Sequence, residues 1–191
     1  AIKIMKISSL PAREITTYKE SFQKEAKIIA RLEHPNIIRI IKFGFSQGLQ
    51  RYGLPDGTPF LVMSYAAYGT IRDKYPELSV LDYTTIAKYT LQIAQALQYA
   101  HDQTKAVIHR DIKPENLFLD AQDNVLLGDF GIAVPYNPAT QSLKDAVGTP
   151  HYVSPEQAQQ KPLLASDQYS LGIVVYEWLT GSVPFDGDTQ S

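Results

Sequence analysis

Cysteine is absent from the 191 residues. That excludes disulfides and thiolate metal sites, and it fits a reducing compartment, so a cytoplasmic location is expected. Long apolar runs are missing too: nothing approaches the roughly 18 residues a membrane helix needs. The first residues do not read as a signal peptide, because Lys3 and Lys6 interrupt the apolar stretch of positions 1–7. Charge of one sign is also scarce. With a formal net charge of −2, the chain has no general attraction to nucleic acid or anionic lipid, and neither is expected as a partner. The four histidines never fall in H-E-x-x-H spacing, and there is no G-x-S-x-G elbow and no Walker A loop. Internal repeats and low-complexity tracts are absent.

What is present is ordinary globular composition, 44% hydrophobic and 20% charged, enough for one substantial core or two small lobes. Residues 1–7 alternate as in a half-buried strand. From Tyr18 to Leu32 the period becomes helical, with Phe22, Ala26, Ile29 and Leu32 on one face and Glu25 beside it. His34-Pro35 ends that helix. Ile37–Phe45 and Phe60–Tyr65 read as strands around a turn cluster at 53–57. After Gly69 the character changes. Asp82 caps a long helix to about Asp102, with Ile86, Ile93, Leu97 and Ala100 along one side. An irregular stretch at 107–116 leads to short strands at 117–119 and 125–127, joined by a turn at 121–124. Pro135 to Asp145 reads as an exposed loop, and Ser166 caps a last apolar helix that Gly181 stops. The plan is a strand-rich first part, a linker near 65–70 and a mainly helical remainder.

The chemistry concentrates in His109-Arg110-Asp111-Ile112-Lys113-Pro114-Glu115-Asn116. Phosphoryl transfer asks a protein for positioning and charge compensation more than for covalent chemistry. Asp111 can orient an attacking hydroxyl, Lys113 can reach the transferred phosphate, and Asn116 offers a hard oxygen to Mg²⁺. Asp129-Phe130-Gly131 follows, with Asp129 13 residues after Asn116, and supplies a second metal ligand. His109 is expected to pack rather than to transfer protons.

These motifs resemble the protein-kinase superfamily, whose template is H-R-D-x-x-x-x-N followed by D-F-G. The resemblance extends over essentially the whole chain. It implies an α+β, two-lobed fold truncated at both ends, with a partial N-lobe at 1–65 and a partial C-lobe at 66–191. ATP and Mg²⁺ are the implied cofactors and a protein serine or threonine the implied acceptor. Ala1-Ile2-Lys3 looks like the end of the strand whose lysine holds the α- and β-phosphates, and Glu25 is similar to the glutamate that pairs with it. Met63 falls at the gatekeeper position and Ser64-Tyr65-Ala66 at the adenine-binding hinge. Ala1, Glu115 and Phe118, with Asn116 and Asp129, complete the implied nucleotide site. Ile29, Ile40, Phe130 and His109 match the family's regulatory spine.

Gly148 to Glu156 resembles the segment that ends the activation loop, with Ser154 in place of the usual alanine. Asp167 looks like the aspartate of a buried helix that braces the catalytic loop. Lys113-Pro114-Glu115-Asn116 is the serine/threonine form, and Ser154-Pro155-Glu156-Gln157-Ala158 resembles the bacterial branch. In that branch a membrane segment and sensor domain often follow. Arg110 implies regulation by activation-loop phosphorylation, with Thr140 and Ser142 as candidate sites, including modification in trans by a second copy. Thr149 is implied to contact the catalytic lysine and aspartate instead.

No G-x-G-x-x-G occurs, although the family places one before the lysine strand, and the family's later helices are not seen. The chain is therefore expected to be the central piece of an active kinase, with little or no activity alone. Its last helix is expected to expose Val174, Val175, Trp178 and Leu179. A pseudokinase scaffold is the alternative, disfavoured by intact Lys3, Asp111, Asn116 and Asp129. A small-molecule phosphotransferase is disfavoured by Arg110, Lys113-Pro114-Glu115 and the 154–156 segment.

Overall fold

The computed structural model describes residues 1–5, 7, 11–131 and 150–185. The expected loop at 135–145 and the candidates Thr140, Ser142 and Thr149 lie outside these residues.

A three-stranded antiparallel sheet comes first, in the order β1 (Ile2–Ile4), β3 (Pro59–Met63), β2 (Ile40–Phe45). Strand β1 sets Lys3 opposite Leu61, and β2 sets Phe43 opposite the same residue. The helix α1 (Ala12–Ile29) packs its Tyr18, Phe22, Ala26 and Ile29 stripe into the core, and the Phe22 and Phe45 rings lie 5.8 Å apart. The expected helix starts too late: Pro11 occupies the cap position, so the helix opens at Ala12. Leu32 is buried beyond the helix end.

The alternation in β1 has the opposite sense to a simple core strand. Ile2 is 69% exposed, whereas Lys3 faces inward and is partly covered. Period-2 patterning fixes that neighbours point oppositely, but not which face is buried.

The remainder is mainly helical. A one-turn helix α2 (Ile71–Lys74) follows the linker. Helix α3 (Tyr83–His101) is capped by Asp82, whose Oδ1 accepts from the amides of Thr84 and Thr85 at 3.0 Å. Its buried stripe, Ile86, Tyr89, Ile93, Leu97 and Ala100, meets helix α5 (Leu164–Thr180). The expected exposure of Val174 and Trp178 is corrected here: they are 0% and 3% exposed. Both belong to the core cluster, and Trp178 meets Tyr89 of α3 in an edge-on contact at 6.0 Å. Val175 is partly buried, and Leu179 is exposed. Burying a side chain of Trp178's size contributes about 2–3 kcal/mol.

Ser166 does not cap α5 from outside. It lies inside the first turn, where Leu163 holds the cap position and its amide donates to Ser166 Oγ at 3.0 Å. Gly181 ends the helix at φ 80°, a left-handed conformation that glycine adopts without penalty.

Between these helices lies the hairpin β4 (Leu117–Leu119) and β5 (Val125–Leu127). It is pinned to the chain entering β2: Ile38 N donates to Leu127 O at 2.9 Å and Asn36 Nδ2 to Val125 O at 2.8 Å. A buried joint thus ties the sheet-bearing part to the helical part, and the segment after the hairpin reaches the sheet through Asp129 and Lys3. Among the described residues no helix is long and apolar enough to cross a membrane.

Candidate active site

Residues 109–116 precede the hairpin and residues 129–131 follow it, so the hairpin brings the two motifs together. Gly128 N donates to Asn116 O and Gly131 N to His109 O, both at 3.0 Å. Asp129 sits between those two anchors, with φ 54°. A side chain at Gly128 has no room, since a Cβ there would come within 2.8 Å of Phe118 and 2.9 Å of Ile38.

Asp111 is held at both carboxylate oxygens. Lys113 Nζ lies 3.0 Å from Oδ1, and Asn116 Nδ2 donates to Oδ2 at 2.7 Å. The same amide nitrogen also donates to Asp111 O at 2.7 Å, which leaves Asn116 Oδ1 as the acceptor end of that side chain. The Asp111 side chain remains 45% exposed, so a substrate hydroxyl can still approach its free lone pairs.

Lys3 Nζ lies 2.8 Å from Asp129 Oδ1. The expectation paired Lys3 with Glu25; Lys3 pairs with Asp129 in this structure. Glu25 stays on α1, half-buried. Met63 is partly buried and its amide donates to Ala1 O at 2.9 Å. Ser64 N donates to Arg39 O at 3.0 Å; Ser64 and Ala66 are half-buried, and Tyr65 is exposed. Phe118 is half-buried on β4, bridged to Thr70 at the end of the linker. Glu115 turns out to have a structural partner: its Oε1 accepts from Arg72 Nε at 2.9 Å.

His109 is fully buried. Its Nε2 lies 2.8 Å from Gly128 O, so it donates there, and its Nδ1 accepts from Asp111 N at 3.3 Å. One nitrogen as donor and the other as acceptor is the neutral imidazole. Burial holds its pKa below the ordinary histidine value, against the pull of Asp167. The ring packs on Phe130 at 4.5 Å, and with Ile29 and Ile40 these residues belong to one buried cluster. Packing is therefore its role here. Because the unfolded chain binds this proton more readily, stability is full above about pH 6.5 and falls as pH drops through that region. Thermal melts from pH 8 to pH 5 should show a steeper loss for wild type than for His109→Phe; parallel curves would contradict a neutral, buried His109.

Beneath the loop, Asp167 on α5 is 1% exposed and gathers three donors. His109 N and Arg110 N donate to its two oxygens at 2.8 Å, and His101 Nε2 lies 2.8 Å from Oδ2. Asp167 thus braces the loop as expected. His101 was not foreseen, because nothing in its spacing marks it.

A second charged cluster was also invisible in the sequence. Arg72 reaches Glu115, Glu177 at 2.8 Å and the Tyr152 hydroxyl at 2.9 Å, while Tyr152 donates to Glu177 at 2.6 Å. Burial would lower the Arg72 pKa, but its bonds to Glu115 and Glu177 outweigh that and raise it. These residues lie far apart in the chain, so no local pattern joins them.

The donor set suits a nucleotide carrying Mg²⁺. That ion binds proteins through one or two hard oxygens and takes its other ligands from phosphates and water. Asn116 Oδ1 and Asp129 are such oxygens. No cluster of three or more His, Cys, Asp or Glu suited to a metal occurs among the described residues.

Comparison with known proteins agrees with this geometry. The family model described as protein kinase domain matches residues 1–191. The chain is 37% identical to a probable serine/threonine-protein kinase of Clostridium acetobutylicum, over 99% of this chain and 27% of that protein. It is 34% identical to the serine/threonine-protein kinase PrkC of Bacillus subtilis, over 99% of this chain and 27% of that protein. An Aurora kinase of Dictyostelium discoideum is 35% identical over 100% of this chain and 46% of its own length. The chain therefore spans less than half the length of these relatives. A matching family model along its whole length, with H-R-D and D-F-G brought into one cleft, places the chain in the protein kinase family.

Proposed function

We propose that this chain carries the site at which the γ-phosphoryl group of ATP passes to serine or threonine hydroxyls of a protein. The observation that carries the reading is the Asp111 carboxylate, fixed between Lys113 and Asn116 yet open to solvent on one side. The acceptor hydroxyl donates to Asp111 and so has its oxygen turned toward the γ-phosphorus. A bond forms between that oxygen and phosphorus while the bond to the β,γ-bridging oxygen breaks. ADP leaves, and the hydroxyl proton passes to Asp111 and on to solvent. Lys113, beside Asp111, offsets negative charge gathering on the transferred group.

Lys3, on the inward face of β1, is assigned to the α- and β-phosphates, and Glu25 to orienting Lys3 once a nucleotide draws it from Asp129. Asn116 and Asp129 are the residues to hold Mg²⁺, which when bound neutralises the phosphate oxygens. Met63, Ser64, Tyr65 and Ala66, with Ala1 and Phe118, are assigned to the adenine side. Glu115 keeps a place at the edge of the nucleotide site in this reading, although its carboxylate serves Arg72. The proposed boundary falls at 65/66: Lys3, Glu25 and Met63 to Tyr65 lie before it, and Ala66, Phe118, the transfer residues Asp111 and Lys113, and the Mg²⁺-holding Asn116 and Asp129 lie after it.

Regulation by phosphorylation at Thr140 or Ser142, in trans by a second copy, is part of the proposal. Its support is Arg110, whose exposed side chain adjoins Asp111 and can pair with a phosphate. The need for ATP and the lack of cysteine favour a cytoplasmic site of action.

Titration with ATP by calorimetry tests the nucleotide half of this reading. Binding should need Mg²⁺, and Asp129→Ala should weaken it by about tenfold or more. Equal affinity with and without Mg²⁺, or an unaffected Asp129→Ala, would contradict the assignment.

A further inference from the structure

The peptide group between Arg110 and Asp111 is the last rigid unit before the Asp111 Cα, so its plane sets where that carboxylate points. Arg110 adopts φ 69°, a left-handed conformation that a residue with a side chain keeps only when its surroundings impose it. Its own amide is held by Asp167 at 2.8 Å. The following peptide is held at both ends. The Asp111 N–H donates to His109 Nδ1 at 3.3 Å, a long bond, and the Arg110 carbonyl accepts from Gln157 Nε2 at 2.6 Å, a short one. Of the two, the Gln157 bond is the stronger restraint on the plane.

Gln157 is itself fixed. It lies on the one-turn helix α4 (Pro155–Ala158), and its amide donates to the buried Ser154 Oγ at 3.3 Å. Glu156 next to it accepts from the buried Ser166 hydroxyl at 2.5 Å, which ties α4 to the start of α5. The serine that stands where the family has alanine therefore caps the helix on the residue that reaches Arg110.

We infer that Gln157 is a positioning residue for Asp111: by holding the Arg110 carbonyl it orients the peptide that aims the carboxylate, and so makes that orientation depend on the docking of the 150–158 segment. The inference rests on the reading of Asp111 given above. No proton passes through Gln157, and its effect should appear in turnover rather than in nucleotide affinity.

The test compares Gln157→Met, similar in length without a donor, and Gln157→Glu, near-isosteric with its donor replaced by an acceptor, in the intact protein carrying this chain. Each should lower kcat for a serine peptide by about tenfold or more while KM for ATP stays within about twofold. The backbone amide resonance of Asp111 should shift in either variant, a signature that a loss confined to α4 would not give. Wild-type kcat in either folded variant, an unmoved Asp111 resonance, or an equal loss of nucleotide affinity would overturn the inference. Asp111→Asn separates the two claims. Should it turn over like wild type, the reading of Asp111 fails; should it be inactive while Gln157→Met is unaffected, only the role of Gln157 falls.

Discussion

Asp111→Asn is expected to lower the turnover of serine-peptide phosphorylation by roughly 10²–10⁴-fold, with nucleotide affinity unchanged within about twofold. The substitution keeps the shape of the side chain, so Lys113 and Asn116 retain a neighbour of the same size. What disappears is the negative charge that draws the hydroxyl proton. Asp111 is assigned to the acceptor and touches the nucleotide side only through its bonds from Asn116, so the defect should lie mainly in kcat. Steady-state kinetics with ATP and peptide varied separately measure this directly. A variant that loses ATP binding in step with turnover would show Asp111 to be a nucleotide ligand instead.

Asp167→Asn should have the largest effect on stability, a loss of about 2–5 kcal/mol. The carboxylate accepts from two backbone amides and faces His101 from a position that is almost fully buried. An amide in its place presents an NH₂ group to at least one donor that had an acceptor, and neither can reach water. For a chain of this size the change corresponds to a fall of roughly 5–15 °C in Tm. Activity should fall as well, because the His109 and Arg110 amides that Asp167 anchors lead directly into Asp111. Thermal denaturation with a change of under about 2 °C would show that the brace is dispensable.

Much of this was legible in the sequence because it is written in short spacings. His109 to Asn116 lie in eight consecutive positions, and the hairpin after them brings Asp129 back beside Asn116. The helix periods around Phe22 and Ile93, the Asp82 cap and the Gly181 stop were readable for the same reason: each is a local backbone requirement. What could not be read depends on contacts between distant segments. The inward turn of Lys3 needs the sheet to choose a face, and its pairing with Asp129 needs the hairpin to approach that face. Val174 and Trp178 looked exposed because their cover was assigned to later helices, whereas both lie in the core, Trp178 against Tyr89 of α3. His101, Arg72 and Glu177 carry no motif at all. Their partners are set by how α2, α3 and α5 pack.

The roles of the charged residues divide along the same line. In the proposed reading Asp111, Lys113, Lys3 and Asp129 serve the substrate or the nucleotide, and each of their side chains keeps some exposure. Asp167, Arg72 and Glu177 are buried or nearly so and satisfy donors or charges of the protein itself. A buried ion is costly unless its bonding is complete, and each of these three has at least two strong partners. Their work is to keep the loop and the 150–158 segment at fixed positions on α5.

Asp111 is proposed to direct the γ-phosphate of ATP onto an alcohol side chain. The most direct test of this role is incorporation of labelled phosphate from γ-labelled ATP by the intact protein carrying this chain, followed by hydrolysis and identification of the labelled amino acid. Phosphoserine or phosphothreonine is expected with wild type and none above background with Asp111→Asn. Equal label in the two proteins, or label found only on tyrosine, would contradict it.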